Sequence, residues 1–353
     1  MKRFLFSQFS IVLLLYSFFF SSCNEINEVT PLNSLTVTVN KAAIYENSGE
    51  SFVFQATGDD NVDYTSVAEF YVNNNLIQGC TYTATLQGTY SVYAKKDDLT
   101  SNTVIIEVLP SPTLYAHKVL IEDFTGAWCG WCPRVTYSIE QVHSRTDKVL
   151  VAAIHRGNPS GPYYDPWNLS EGVALETALN LQGYPTAFLN RVTEWTYPEN
   201  ANINQPINML KQTSTYGIAI SSTLGAGSGT ITVSFSFKES LPNARCVVYV
   251  LEDDLRCDQV NYTSFFGGAS VLVNFRHMDV VRKVVSSSIL GQNIPSDQSV
   301  ADNVYTMSFT ASSYTSSNID KLKVMVILLN SNGRVENVQV APANCFQDYE
   351  LAD

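Results

Sequence analysis

Hydrophobic and polar residues alternate along the first third of the chain, a pattern that predicts β-strands with one buried face. Turn residues separate these runs at intervals typical of a β-sandwich. We therefore expect a β-sandwich over residues 35–110, built from the runs LTVTV (35–39), SFVFQAT (51–57), AEFYVN (68–73), TYSVYAKK (89–96) and TVIIEVL (103–109). The following stretch LPSPTL (109–114) predicts a linker, because its two prolines discourage continuous strand pairing.

The pattern changes after residue 117. Continuous apolar runs predict strands that are buried on both faces, and they occur in KVLIEDF (118–124), KVLVAAIH (148–155) and PTAFLNR (185–191). Between and after them, apolar residues at helical spacing predict helices after Cys132, over 170–181 with Ser170 as N-cap, and over 202–214. Strands that alternate with helices predict an α/β domain over residues 114–216.

Strand patterns return after residue 216. The runs YGIAISSTL, GTITVSFSFKE, RCVVYVLEDD, NVYTMSFTA and LKVMVILLN predict a C-terminal β-sandwich over residues 217–353. The segment 35–110 resembles the small immunoglobulin-like modules of bacterial surface proteins. The predicted fold is therefore multidomain, with an immunoglobulin-like β-sandwich, a central α/β domain and a second β-sandwich.

The N-terminus has the layout of a secretory signal. Lys2 and Arg3 precede an apolar run that ends at FSSC, with the cysteine at position 23. This ending resembles a bacterial lipoprotein cleavage site, which implies a signal peptide over 1–22, a lipid on Cys23 and a tether over 23–34. The expected location is the bacterial cell envelope, with the outer membrane as the anchoring surface. The alternative is that the apolar run stays as a membrane-spanning helix.

The charge of the chain bears on its partners. The formal net charge is -12, and an acidic chain repels phosphate backbones, so nucleic acid is not expected as a partner. Hydrophobic residues make up 45% of the chain, which is enough for several buried cores and argues against a largely disordered protein.

Seven cysteines are present, and the exported context permits disulfides. We expect Cys80 to be a free or buried thiol, because it is alone in its segment. A bond within the group Cys246, Cys257 and Cys345 is an open alternative. The remaining two, Cys129 and Cys132, are separated by two residues in EDFTGAWCGWCPRV (122–135).

A thiol pair of this spacing does redox chemistry when it lies at the start of a helix. The unpaired N–H groups and the dipole of a helix N-terminus lower the pKa of a thiol, and one helical turn brings the two sulfurs together. Pro133 fits the first turn of the predicted helix, where a missing N–H costs nothing.

The stretch LIEDFTGAWCGWCP resembles the active site of the thioredoxin family, and GYPTAFLN resembles the cis-proline segment of that family. The resemblance implies that Cys129 is the nucleophile, that Cys132 resolves the mixed disulfide and that Asp123 accepts its proton. It also implies that Pro185 is cis and faces the cysteines. Residues expected to contact a protein substrate are Trp128, Trp131, Tyr184 and Thr186.

Two features depart from that family. The distance from Cys132 to Pro185 is long, and the extra residues 156–170 are either a substrate-facing loop or a packed insertion. The residues between the cysteines are Gly-Trp, which leaves the direction of electron flow open. Two other interpretations of the pair remain. A zinc site needs a second ligand pair, which the sequence lacks, so no metal is expected; a permanent structural disulfide is the other alternative.

The order of segments, together with VLEDD and FRHMDVVRKVV near the C-terminus, is similar to the Omp28-related outer membrane lipoproteins of Bacteroidetes-type bacteria. The leading hypothesis is an envelope-anchored thiol–disulfide oxidoreductase that acts on protein thiols and disulfides without a cofactor. The alternative is a surface binding or adhesion lipoprotein in which the thioredoxin-like part is a non-catalytic scaffold.

Overall fold

The computed structural model describes residues 32–46, 48–111, 114–158, 160–316 and 318–352. They form two compact units, one up to residue 111 and one from residue 112. The predicted signal peptide, the lipidation site Cys23 and most of the predicted tether lie outside the described residues. None of the helices in the described part of the chain combines the length and apolarity needed to span a bilayer.

Within the described residues, the regular elements of the first unit are strands, and each of the five alternating runs coincides with one of them to within a residue. One sheet has the order β1-β3-β6, and the other has the order β2-β9-β7-β4-β5 with β8 added to β7. Alternate residues such as Phe52, Phe54 and Ile106 fill a common core, because successive side chains of a strand point to opposite faces. The strands are β1 (Leu35–Val39), β2 (Ala43–Tyr45), β3 (Phe52–Gly58), β4 (Glu69–Val72), β5 (Asn75–Leu76), β6 (Thr81–Tyr82), β7 (Gly88–Lys96), β8 (Leu99–Thr100) and β9 (Val104–Leu109).

The second unit contains the helices and the remaining strands. Its α-helices are α1 (Cys132–His143), α2 (Gly172–Ala178) and α3 (Asn204–Ile207), with 3-10 turns at Glu199–Ala201, Phe265–Gly267 and Ile319–Lys321. Its strands are β10 (Val119–Thr125), β11 (Val149–His155), β12 (Thr186–Leu189), β13 (Thr193–Glu194), β14 (Tyr216–Leu224), β15 (Ser228–Phe237), β16 (Arg245–Glu252), β17 (Leu255–Val260), β18 (Val271–His277), β19 (Val280–Val284), β20 (Gln292–Asn293), β21 (Asn303–Ser312), β22 (Leu322–Leu329), β23 (Val335–Pro342) and β24 (Phe346–Gln347).

A single mixed sheet runs through the second unit. Its order is β13-β12-β10-β11-β19-β16-β22-β23, with β20 paired to β16 as the ninth strand. β10 and β11 are parallel, and β10 and β12 are antiparallel. The sheet continues from β11 to β19 through the parallel pair Ala153 and Val280. Strands from the regions before and after residue 216 are therefore hydrogen-bonded neighbours in one sheet.

Both faces of this sheet are buried, which explains the continuous apolar runs. In β16, Val248 and Val250 pack in the core that the four-stranded sheet β21-β15-β14-β24 covers, whereas Val247 and Leu251 pack in the core on the opposite face. Helix α1 packs Val135 and Val142 against a third core, which β10 lines. A sheet covered on both sides has no face that requires polar alternation.

The fold class predicted from the sequence is wrong. The chain is 45% strand and only 10% helix, and no separate central α/β domain of thioredoxin type lies between two sandwiches. The strands assigned to that domain, β10 to β12, belong instead to the nine-stranded sheet that β16, β19, β22 and β23 complete. The physical reason is that an apolar run reports burial on both faces but does not report which strands are its neighbours.

Candidate functional site

The two cysteines Cys129 and Cys132 form a disulfide at the start of α1. Their Cα atoms are 5.4 Å apart, and Cys132 is the first residue of the helix, with Pro133 in the first turn. The N–H of Cys132 donates to the carbonyl of Cys129 over 3.2 Å, so a tight turn joins them. The expected placement of the pair between a buried strand and a helix is confirmed. The predicted redox role is a separate question.

Both cysteines are buried. Cys129 is 4% exposed and Cys132 is 1% exposed, whereas the intervening Trp131 is 52% exposed. The β17–β18 hairpin covers the loop that carries them. Val260 N–H donates to the carbonyl of Ala127 over 2.9 Å, and Tyr262 N–H donates to the carbonyl of Gly130 over 2.7 Å. The hairpin therefore occupies the hydrogen-bonding edge of the disulfide loop.

Two side chains of this hairpin segment strengthen the cover. The Gln259 side-chain amide donates to the carbonyl of Cys129 over 2.9 Å. The Tyr262 ring lies so close to Gly130 that a Cβ there would be 2.3 Å from the ring. Sequence reasoning missed this cover, because NYT is an ordinary polar stretch. The local sequence indicates this contact only through Gly130, because the Tyr262 ring leaves no room for a side chain at that position.

Asp123 lies in β10 and is buried and partly unpartnered. Its Oδ1 atom has no hydrogen-bond partner among the described residues. Burial and the nearby Glu199 carboxylate raise the pKa of Asp123, Arg134 opposes them, and the net result is a pKa of about 8. Arg134 is itself paired with Glu199 at 2.5 Å. A carboxyl group in this environment stays protonated near neutral pH.

The Tyr184–Pro185 peptide bond is cis, as the resemblance implied. Antiparallel register pairs Thr186 with Phe124, which places Pro185 beside the end of β10, where the chain leaves for the disulfide loop. Thr186 Oγ1 donates to the carbonyl of Gly183 over 2.9 Å, so its hydroxyl serves the local turn. The predicted substrate contacts of these residues stay predictions.

Trp128 and Tyr184 form an aromatic group beside the disulfide. Their rings are 5.6 Å apart in an edge-to-face arrangement, and the indole N–H of Trp128 donates to the carbonyl of Arg156 over 2.7 Å. The Tyr184 hydroxyl donates to Glu176, and burial together with this bond raises the pKa of Tyr184. Trp131 instead points outward and meets Tyr262 at 5.9 Å. Of the four predicted contact residues, Trp128 and Tyr184 thus pack against each other, whereas Trp131 is exposed.

The insertion 156–170 is partly packed and partly exposed. Asp165 is buried, and its Oδ2 accepts from the N–H of Ala127 and lies 2.8 Å from Nδ1 of His155. Burial raises the pKa of Asp165, but the bonds from His155 and the backbone outweigh it, so the pKa is lowered. Tyr163 and Tyr164 are about half exposed. The carboxylate of Asp165 therefore anchors the disulfide loop through the backbone of Ala127.

The other cysteines within the described residues, Cys80, Cys246, Cys257 and Cys345, are free thiols, so the open alternative of a bond within the last three is not realised. Cys257 lies 3.4 Å from Nε2 of His277. Burial lowers the pKa of His277 to about 3 and raises the pKa of Cys257 to about 12, so both groups are neutral. The described residues contain no group of three His, Cys, Asp or Glu side chains arranged to hold a metal ion.

Comparison with known proteins places this chain near an outer membrane family. Residues 173–345 match the family model of the outer membrane protein Omp28, which supports the resemblance stated above and fits an envelope location. No curated protein matches the chain. A solved structure of HBP35 of Porphyromonas gingivalis is similar, with a TM-score of 0.52, 17% identity, and coverage of 66% of this chain and 77% of that one.

Other solved structures are more distant. A protein from Agrobacterium tumefaciens aligns with a TM-score of 0.41 and 16% identity, over 66% of this chain and 97% of its own. The adhesin InvE of Yersinia pseudotuberculosis aligns with a TM-score of 0.19 and 12% identity, over 88% of this chain and 59% of its own. At 17% identity, the similarity to HBP35 concerns the fold alone. The family match therefore carries the coarse conclusion that the chain fits an outer membrane or surface protein.

Proposed function

We propose that this protein is a surface-exposed envelope protein that acts by binding, and that the Cys129–Cys132 disulfide is a structural part of its binding unit. The observation that carries this proposal is the burial of both cysteines, at 4% and 1% exposure. A thiolate must approach a sulfur atom directly to open a disulfide, so access limits exchange as much as thiol acidity does. The family match to an outer membrane protein supports the location.

The β17–β18 hairpin holds the two cysteines buried through several specific contacts. The end of β17 and the turn after it contribute two backbone bonds and the Gln259 bonds to the disulfide loop. The turn also stacks on α1, where Phe265 and Tyr137 have ring centroids 4.3 Å apart. A partner thiol would reach Cys129 only after the hairpin separates from the loop. Local opening of this kind costs free energy, because these hydrogen bonds and packed rings must come apart first.

The test is the rate at which the disulfide is reduced in the native protein. Excess dithiothreitol is added at neutral pH, samples are alkylated, and mass spectrometry measures the alkylated fraction of the Cys129–Cys132 peptide. We expect reduction to be at least about 100-fold slower than in urea-unfolded protein, because opening must come first. Native protein reduced as fast as unfolded protein contradicts the structural role.

A matched pair of variants tests the hairpin. Tyr262→Gly removes the ring over Gly130 and should accelerate reduction of the native protein, whereas Tyr45→Gly, at an exposed tyrosine of the first unit, should leave the rate unchanged. Equal rates for both variants and the wild type would show that the hairpin does not control access.

Thiol–disulfide exchange on protein substrates is the second candidate, and one observation favours it. Asp123 is a buried carboxyl group with an unpartnered oxygen and a raised pKa, which is a costly arrangement for stability alone. In this mechanism the Cys129 thiolate attacks a partner disulfide and releases one partner thiolate. A pKa of about 8 leaves a minority of Asp123 ionised at neutral pH, and this carboxylate takes the proton of Cys132. Cys132 then attacks Cys129 and releases the second partner thiolate, so the pair is oxidised and the partner is reduced by two electrons.

Insulin reduction separates the two candidates. If exchange operates, Cys129→Ser removes the activity, whereas Cys345→Ser, at an exposed free thiol, keeps it. If the disulfide is structural, all three proteins behave alike and remain at the background rate. Activity that survives in Cys129→Ser excludes the exchange mechanism.

Lipid anchoring through Cys23 is a further part of the proposal, carried by the FSSC ending of the signal-like N-terminus. Several acyl chains on one residue give stable membrane attachment, whereas a single chain does not. We expect metabolic labelling with a clickable fatty acid to mark the wild type and not Cys23→Ala. Labelling of Cys23→Ala would show that the lipid is not attached to Cys23.

A further inference from the structure

A groove of about 760 Å³ lies between helix α1 and strand β18, within the second unit. Helix α1 forms one wall with Thr136, Ile139, Glu140 and His143, and the β17–β18 hairpin forms the other. The volume is within the range of about 300–1,000 Å³ that is typical of ligand pockets. The groove is on the side of the hairpin that faces α1, and neither sulfur of the disulfide lines it.

The hairpin wall of this groove is an unpaired strand edge. Within the described residues β18 pairs with β17 and with no other strand. Asn261 N–H donates to the carbonyl of Ser270, so the backbone of Ser270 points towards β17. Backbone direction alternates along a regular strand, so Leu272 also points to β17, and the N–H and C=O groups of Val271 and Val273 point outward. This regular stretch ends at Val273, because Asn274 has a positive φ and the register with β17 shifts opposite it.

The two outward-pointing residues of this edge are apolar and exposed, and the exposed polar residues Asn274 and Arg276 follow along the same strand. Val273 is 77% exposed and Val271 is 43% exposed, and Ile139, Phe275 and Met278 line the groove. An exposed edge with apolar residues is the arrangement that proteins usually avoid, because it invites another strand to pair with it. Here α1 forms the other wall of the groove.

We propose that this groove binds a short extended peptide segment of a partner protein, which adds to the hairpin as a third strand along β18. This inference rests on the proposed binding function and names its ligand class. The backbone groups of Val271 and Val273 recognise the peptide main chain, and the apolar wall receives alternate side chains. Addition of a strand to a free edge is a known mode of peptide recognition.

The chemistry of the edge selects this occupant over others. An apolar small molecule would fill the volume but would leave the backbone groups of Val271 and Val273 unpaired and desolvated, which is costly. An extended main chain offers donors and acceptors at the spacing of a strand, so it satisfies them.

The experiment measures binding of a fluorescent peptide, acetyl-Lys-Val-Thr-Val-Thr-Val-Lys-amide, to the full chain by fluorescence anisotropy. The control ligand is the same peptide with every backbone nitrogen methylated, which keeps the side chains and removes the donors. We expect the methylated peptide to bind at least about tenfold more weakly, since two or more hydrogen bonds are lost.

Two variants locate the site. Val273→Pro removes the outward N–H, and proline is tolerated at the solvent edge of a strand; Val273→Ala trims the side chain and keeps the N–H. We expect at least about tenfold weaker binding for Val273→Pro and less than about threefold for Val273→Ala. Far-ultraviolet circular dichroism checks the fold, and the methylated peptide tests the proposal on wild-type protein if Val273→Pro does not fold.

The outcomes distinguish this proposal from the general one. Equal binding of both peptides, or Val273→Pro binding as the wild type, overturns strand addition at β18. Absence of binding by the wild type also overturns it. None of these three results bears on the structural role of the disulfide, which the reduction rate in dithiothreitol tests separately.

Discussion

A buried ion pair joins the two halves of the nine-stranded sheet, and its removal gives the sharpest stability prediction. Arg191 donates to both carboxylate oxygens of Glu122 over 2.7 and 2.9 Å, and it also donates to the Tyr249 hydroxyl over 2.9 Å. The exposed fractions of the Arg191 and Glu122 side chains are 4% and 0%. Glu122 belongs to β10 and Tyr249 to β16, so the contact spans regions far apart in the chain.

The perturbation is Arg191→Met, which fills similar volume without the charge. It leaves the Glu122 carboxylate buried without its partner, and removal of one member of such a pair costs about 3–5 kcal/mol. At a urea dependence of about 3 kcal/mol per molar, this corresponds to a midpoint lower by about 1–1.7 M.

The control is the triple variant Glu122→Leu, Arg191→Met and Tyr249→Phe. It removes the three polar side chains of the cluster and leaves only the Ile289 carbonyl, to which Arg191 also donates. Replacement of a whole buried pair by apolar residues is often neutral or stabilising. We therefore expect the triple variant to recover most of the free energy of unfolding that Arg191→Met alone loses.

The assay is urea unfolding followed by tryptophan fluorescence and by circular dichroism. All four tryptophans lie between residues 128 and 195, so fluorescence reports the part before β14, whereas circular dichroism also reports the later strands. A loss below about 1 kcal/mol for Arg191→Met, or a triple variant as unstable as the single one, would refute the reasoning.

Two further predictions concern a titration and a turn. Because the folded pKa of Asp123 is raised to about 8 from 3.8, its contribution to stability is complete below the unfolded pKa and is lost as pH rises towards 8. As pH rises from 4 to 8, the stability of Asp123→Asn should therefore increase relative to that of the wild type, by up to about 1.4 kcal/mol per pH unit. Urea midpoints measured across this range check the prediction, and a stability difference that does not change with pH would exclude the raised pKa. Gly229→Ala places a Cβ 2.2 Å from the carbonyl oxygen of Thr223, and it should cost about 1–3 kcal/mol in urea unfolding, whereas Gly183→Ala meets no atom within 4 Å and should cost under about 1 kcal/mol. Equal losses for both glycine variants would contradict the clash.

Local elements were predictable from the sequence, because strand and helix patterns depend on neighbouring residues. The run LTVTV became β1 without change of bounds, and the apolar run at 118–124 became β10. Helix ends were less predictable. Ser170 is not the N-cap of α2, since the cap is Glu171, and the third predicted helix shortened to Asn204–Ile207.

Strand neighbours were not predictable, and this caused the error in fold class. The runs in β10 and β16 are equally apolar, and nothing in either pattern states that Glu122 and Tyr249 touch across the sheet. The candidate site shows the same division. The disulfide and the cis bond at Pro185 follow from local motifs, whereas the hairpin over Gly130 is a long-range contact with no periodic signature.

The parallel junction between β11 and β19 has a consequence for the folding rate. Residues that pair there, Ala153 and Val280, are distant in sequence, and β10 to β12 are made long before β16, β19 and β22 follow in the chain. Pairings between residues so far apart in sequence slow folding, because the chain must lose the entropy of closing a long loop before the stabilising contacts form. During that delay the edge of β11 is open to other chains. Refolding should therefore be slow and its yield should fall steeply with protein concentration.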